Sequence, residues 1–216
     1  MTNKLQEITL NLRKAIDNNK LTQLIVYEKT QELSILGYKY DYESFPVLKN
    51  TDKFIDLSQD TPINLAEALL WKLGKWKAYK KFTDNYANES SIASRTDVVF
   101  HAYAKHLRNK DNPIYDQHAL RALWVICSNF TDDEKDKCKS VLFDSKNKWK
   151  QTGSGKYSVE CYDLFVKHIN VLTKHQNSPT KTEIDRLLMP LGQAIKKNTS
   201  SYEAFCKFCQ WSDSGN

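Results

Sequence analysis

The spacing of the apolar residues limits what this chain can fold into more than any other feature. Leu5, Ile8, Leu12 and Ile16 recur at three- and four-residue intervals, and Leu21, Leu24 and Ile25 follow the same rule. That period gathers side chains on one face of a helix, whereas a strand would scatter them over both faces. The chain is also short of turn-formers, with 6 glycines and 5 prolines in 216 residues. A β-rich fold of this length needs many more, so an all-α fold with polar connections is expected.

Local signals divide the chain. Asp17-Asn18-Asn19 predicts a break in the first helical stretch, Thr2 to Leu36, and Gly37 a stop. Residues 38–60 are tyrosine-rich and irregular, with Pro46 holding Phe45 extended. Asp60-Thr61-Pro62 predicts a helix start, after which Ala66, Leu69, Leu70 and Leu73 face a core. Gly74 ends or kinks that helix, and Trp76, Tyr79 and Phe82 continue at helical spacing. Ser90 to Leu107 reads as a polar turn feeding a helix, and another helix starts near Asp116. Thr131 to Glu134 forms a capping-box pattern. Helices are further expected over Tyr162 to Leu172, over Thr182 to Lys196 with Pro190 kinking or dividing it, and over Ser200 to Trp211.

Hydrophobic residues make up 40% and charged residues 27%, a globular balance. No run has the length of a membrane span, and the N-terminus lacks the apolar core of a signal peptide. The five cysteines are accordingly read as reduced thiols and the protein as cytoplasmic. A net charge of +6 suits a polyanionic partner without requiring one.

Three motifs carry less than they suggest. Thr152-Gly153-Ser154-Gly155-Lys156 lacks the first glycine of a phosphate-binding loop, and Tyr157 stands where a hydroxyl should hold magnesium. Cys206 and Cys209 have no second pair to complete four metal ligands. His101 and His106 are five apart, so they do not share a helical face. No metal and no cofactor is expected.

Two segments carry more. Trp71 to Phe82 interleaves five lysines with four aromatics over twelve residues. Lysines neutralise phosphates and aromatics stack on unpaired bases. An amphipathic helix with a solvated basic side accounts for the same pattern. In Asn112-Pro113-Ile114-Tyr115-Asp116-Gln117-His118-Ala119-Leu120-Arg121, an aspartate stands at a helix start behind a short apolar segment. The simplest reading of Asp116 is a helix cap, which stabilises by about 1 kcal/mol.

This second segment resembles the region around the catalytic aspartate of the helix–hairpin–helix DNA glycosylases. There a Pro-Val-Asp-Thr-His-Val-x-Arg-type sequence opens a helix whose cap is also the catalytic carboxylate. Asp116, His118 and Arg121 fall in matching places, with Tyr115 as one extra residue. Ser94 to Tyr103 lies where the family's hairpin ends, and the Lys/Trp segment holds the place of the helix before it. The likeness spans residues 60–126. The Leu-Pro-Gly-x-Gly turn is absent, with Asn88 to Ala93 in its place. The Schiff-base lysine falls near Asp97 or Val98, which form no imine, and the cluster cysteines of some members are missing.

The resemblance implies a two-lobed helical glycosylase-like fold with a degenerate helix–hairpin–helix. It makes residues 1–216 one compact domain, with a core at about 60–126 and a flanking lobe from 1–59 and 127–216. It implies a monofunctional, monomeric N-glycosylase acting on double-stranded DNA that carries a modified or damaged base. Asp116 would be catalytic. Lys72, Lys75, Arg95, Thr96, His118 and Arg121 would contact DNA or support the site. Trp71, Trp76 and Tyr115 would line a base pocket or wedge the duplex. Substrates range from oxidised or alkylated bases to glucosylated hydroxymethylcytosine in phage DNA, as an anti-phage enzyme would remove. A non-catalytic basic helical module for nucleic acid is the competing expectation, and a helical protein-interaction domain with merely solvated lysines is a third.

Overall fold

A computed structural model describes residues 2–40, 62, 64–87, 98–150 and 158–211. Among them ten helices form and no strand, which is the all-α class expected. The helices are α1 (Thr2–Asp17), α2 (Gln23–Ile35), α3 (Leu65–Lys72), α4 (Trp76–Ala87) and α5 (Val98–Arg108). They continue as α6 (Gln117–Ile126), α7 (Asp132–Leu142), α8 (Ser158–Leu172), α9 (Lys181–Asn198) and α10 (Tyr202–Trp211).

The helix ends follow local chemistry. Gly37 adopts φ 87° and Gly74 φ 68°, a left-handed turn that glycine enters without a Cβ penalty. Each closes its helix with paired backbone bonds. Tyr38 and Lys75 donate back to the carbonyls of Leu33 and Leu70, at 2.9 and 2.8 Å. Thr131 and Glu134 complete the expected capping box on α7. Thr180 and Glu183 form a second one on α9, two residues ahead of the expected start.

Helix α6 is the centre of the molecule. Every residue from Ala119 to Ile126 is buried, because the helix packs against α1, α7, α8 and, most extensively, α9. A helix that is apolar nearly all round must lie inside. Helix α9 also rests on α2, so it is enclosed on several sides. That enclosure explains one departure from expectation. Pro190 neither ends nor divides α9, which runs unbroken for 18 residues. A proline in a helix interior costs about 3 kcal/mol, and the burial of Leu187, Leu188, Leu191 and Ile195 around it offsets that.

Two further expectations change in α3. Its cap is Asn64, whose side chain accepts the Glu67 amide at 2.9 Å, and not a residue at 60–62. Its apolar side does not enter the core, since Leu65, Leu69 and Leu73 are all exposed. The helix is held instead by α4, where the Tyr79 hydroxyl donates to the buried Glu67 carboxylate at 3.0 Å. Helix α4 packs on α5, which in turn packs on α8.

Candidate functional site

The site is built where the chain turns into α6. Asp116 has extended backbone, φ −152° and ψ −176°, and its Oδ1 accepts the Ala119 amide at 2.8 Å. This is the cap expected from the sequence. Asp116 is half-buried, and no other described residue hydrogen-bonds its second oxygen. One carboxylate oxygen is thus fixed by the helix.

Helix α9 grips this turn at two points. Asp185 Oδ2 accepts the Ile114 amide at 3.1 Å, just ahead of Asp116. Two turns further along, the Gly192 carbonyl accepts from the Arg121 guanidinium at 3.1 Å. Gly192 lies so close to α6 that a Cβ there would stand 2.0 Å from the His118 carbonyl oxygen. Only glycine permits that approach.

The charges in this contact are unusual for a core. Asp185 is 1% exposed, and burial pushes its carboxyl well above the usual carboxylate range, with the Asp116 charge adding to the effect. Its Oδ1 has no hydrogen-bond partner among the described residues. Arg121 is 0% exposed, and burial draws its guanidinium down to about 10, still protonated at neutral pH. It lies over the Trp149 ring at 4.1 Å and also donates to His118 Nδ1 at 3.1 Å. An arginine can only donate, so Nδ1 accepts and the imidazole carries its proton on Nε2. Burial lowers the His118 pKa in the same sense, toward the neutral ring.

Asp116, His118 and Arg121 are therefore brought together, but not in the roles expected for all of them. Arg121 points into the protein and has no face for a phosphate, so of its two expected roles only support of the site fits, through His118 and α9. Tyr115 is 2% exposed, packed edge-on against Tyr162 and Phe165, so it neither lines an open pocket nor wedges a duplex in this conformation. Both changes follow from how tightly α6 is enclosed. His118 is half-buried at the edge of the group.

Lys72, Lys75, Trp71 and Trp76 form a separate surface on α3 and α4. Both lysines and Trp71 are exposed, and Trp76 is half-buried and stacked on Tyr79 at 5.5 Å. Beside them Leu70, Lys75, Ala78, Tyr79, Phe82, Phe100 and Tyr103 line a shallow groove of about 250 Å³. Arg95 and Thr96, with the expected hairpin turn, lie outside the described residues. Among the described residues no group of three His, Cys, Asp or Glu is placed to hold a metal. No helix among them is long and apolar enough to cross a membrane.

Asp185, Gly192 and Trp149 belong to the site and escaped the sequence reading. Two of them left a signal. Asp185 interrupts the apolar stripe of Ile184, Leu187, Leu188 and Leu191, and Gly192 sits inside a helix, where glycine costs about 1 kcal/mol without a reason to be there. No protein-family model matches this chain, and no curated protein or solved structure matches it significantly.

Proposed function

We propose that this protein is a DNA glycosylase that flips a modified or damaged base out of a duplex and hydrolyses its N-glycosidic bond. The observation that carries the reading is the Asp116 carboxylate. It caps a buried helix through one oxygen, has no hydrogen-bond partner for its second oxygen among the described residues, and is held from behind by α9.

Departure of the base develops positive charge on the sugar. A fixed carboxylate near C1′ stabilises that charge and can also orient or deprotonate the attacking water. Placement on a rigid turn supplies the orientation such chemistry needs. Arg121 and Asp185 act through the backbone and through His118, as positioning residues. The exposed Lys72, Lys75 and Trp71 are suited to phosphate and base contact, and unstacking a target base costs a few kcal/mol that such contacts can offset. With Asp97 or Val98 at the family's Schiff-base position, the expected product is an abasic site, not a cleaved strand. The glycosylase-like two-lobed arrangement and monomeric state go with this reading.

The test is abasic-site formation on a panel of duplexes carrying oxidised, alkylated or glucosylated bases. Asp116→Asn should abolish base release and leave duplex affinity within about twofold, because asparagine caps a helix nearly as well. Release at the wild-type rate by that variant would refute the assignment. A second reading, a non-catalytic nucleic-acid-binding module, draws on the regularity of the Asp116 cap. It predicts binding with no release from any member of the panel.

A further inference from the structure

The two aspartates of the candidate site are held in different ways. Asp116 is half-buried at the start of α6, where its carboxylate caps the helix. Asp185 lies inside the protein, 1% exposed, on the face of α9 that meets the Asp116 turn. Its Oδ2 accepts the Ile114 amide at 3.1 Å, and its Oδ1 has no hydrogen-bond partner among the described residues. The bond to Ile114 does not require an acid, because the oxygen of an asparagine would accept it as well. What an acid adds in this place is the ability to ionise.

A buried carboxyl keeps its proton unless an opposite charge is bonded to it. Helix α9 packs on α1, α2, α6 and α8, and the charged groups there are bonded to other partners. On α6, Arg121 donates to His118 and to the Gly192 carbonyl, two turns beyond Asp185. On α2, Lys29 and Glu32 pair at 2.7 Å. Arg13 of α1 donates to the Cys209 carbonyl, and His168 of α8 lies 3.5 Å from Glu134. Burial therefore dominates at Asp185 and raises its pKa well above the ordinary 3.8. The Ile114 bond opposes that rise, the Asp116 charge adds to it, and Lys181, one turn back on α9, opposes it.

We infer that Asp185 is a proton-operated clasp on the Asp116 turn: neutral, it locks α9 onto Ile114, and on losing its proton to solvent it lets the turn open. The clasp is a property of the contact between α6 and α9; its control of base release rests on the proposed role of Asp116. The direction follows from linkage. The closed contact binds the Asp185 proton more tightly than an open one in which water reaches the carboxylate. Raising the pH from the ordinary aspartate value toward the raised one thus favours opening, by up to about tenfold per pH unit. Ile114 stands two residues ahead of Asp116, so opening frees the chain on that side while the bond from Asp116 to Ala119 remains. The carboxylate is then oriented by its cap alone, and base release slows.

Hydrogen exchange of the Ile114 amide, followed by NMR from pH 5 to 8 and corrected for the intrinsic rate at each pH, measures the opening directly. Wild type is compared with Asp185→Asn, and the Ala119 amide reports the cap in both. Wild-type protection at Ile114 should fall as pH rises, by up to about tenfold per unit, while the variant stays level within about twofold. Protection that is level in wild type, or that falls equally in the variant, overturns the inference. The carbon-13 resonance of the Asp185 carboxyl tests it without any substitution: it should be that of a protonated acid at pH 5, and an ionised one there overturns the clasp. Single-turnover base release on one duplex at pH 6 and 8 then reads the consequence. Wild type should lose more rate than the variant, and an equal loss in both overturns control of base release. The two proposals fail separately. A protein whose Ile114 protection falls as expected and which releases no base removes the glycosylase reading alone; one that releases base with level protection removes the clasp alone.

Discussion

Replacing Gly192 by alanine reverses the usual sign of that substitution. Inside an ordinary helix, glycine to alanine stabilises by about 0.5–1 kcal/mol. Here the new Cβ would lie 2.0, 2.5 and 2.8 Å from the carbonyl oxygen, carbonyl carbon and Cα of His118. These are backbone atoms in the first turn of α6, so no side-chain rotation relieves the clash. Carbon and oxygen need roughly 3.4 Å, and α9 must therefore withdraw by more than about 1 Å. That movement breaks the 3.1 Å bond from Arg121 to the Gly192 carbonyl. Overpacking of this kind costs about 1–3 kcal/mol, and a buried charged donor left unpaired adds about 1–3 more. Set against the gain in helix propensity, the net loss is about 2–4 kcal/mol. Urea denaturation followed by circular dichroism reads this directly. With a slope of roughly 2 kcal/mol per molar, the midpoint should fall by about 1–2 M. A variant as stable as wild type, or more stable, would show that α6 and α9 do not meet this closely, and the account of the site's geometry would fall with it.

The buried Asp185 makes a second, opposite-signed prediction. Asp185→Asn keeps an acceptor for the Ile114 amide and removes a carboxyl whose ionisation burial opposes. It should match or exceed wild-type stability at pH 8, with the advantage shrinking as pH falls toward the ordinary aspartate value of 3.8. Asp185→Leu strands the buried Ile114 amide at a cost of about 1–3 kcal/mol and should slow base release by loosening the Asp116 turn. An asparagine variant weaker than the leucine one would contradict this. Stability should also drop between pH 7 and 5. Burial holds His101, His106, His118 and His168 below their ordinary value of 6.5, so the unfolded chain takes up protons there that the folded chain refuses. Asp185 acts in the other direction over part of that window, so the measurement is cleanest in Asp185→Asn. A midpoint that is flat or rising from pH 7 to 5 in that background would contradict the neutral state of three buried histidines and the half-buried His118.

Helix positions and caps were legible in the sequence because they rest on short-range chemistry. The break at Asp17-Asn18-Asn19, the stops at Gly37 and Gly74, and the caps at Asp116 and Thr131 each involve residues within a few positions of one another. The exposure of Leu65, Leu69 and Leu73 was not legible, since periodicity reveals an apolar face and says nothing about what covers it. Arg121 shows the same limit from the other side. A charged residue near a helix start reads as solvent-facing until the partner helix is known, and here that partner encloses it. Pro190 read as a break because its local penalty is certain, while the packing that overrides it comes from elsewhere in the chain.

The two bonds by which α9 holds the Asp116 turn both link residues 71 apart in the chain. The cap itself needs only the four residues from Asp116 to Ala119. The same aspartate thus belongs to two orders of structure, one that local sequence can form alone and one that exists only once the chain has closed on itself. Loosening α9 would leave α6 capped and its helical signal intact while Ile114 and His118 lost their supports. For this fold, helix content measures whether the segments have formed, and only the contact between α6 and α9 measures whether the site has.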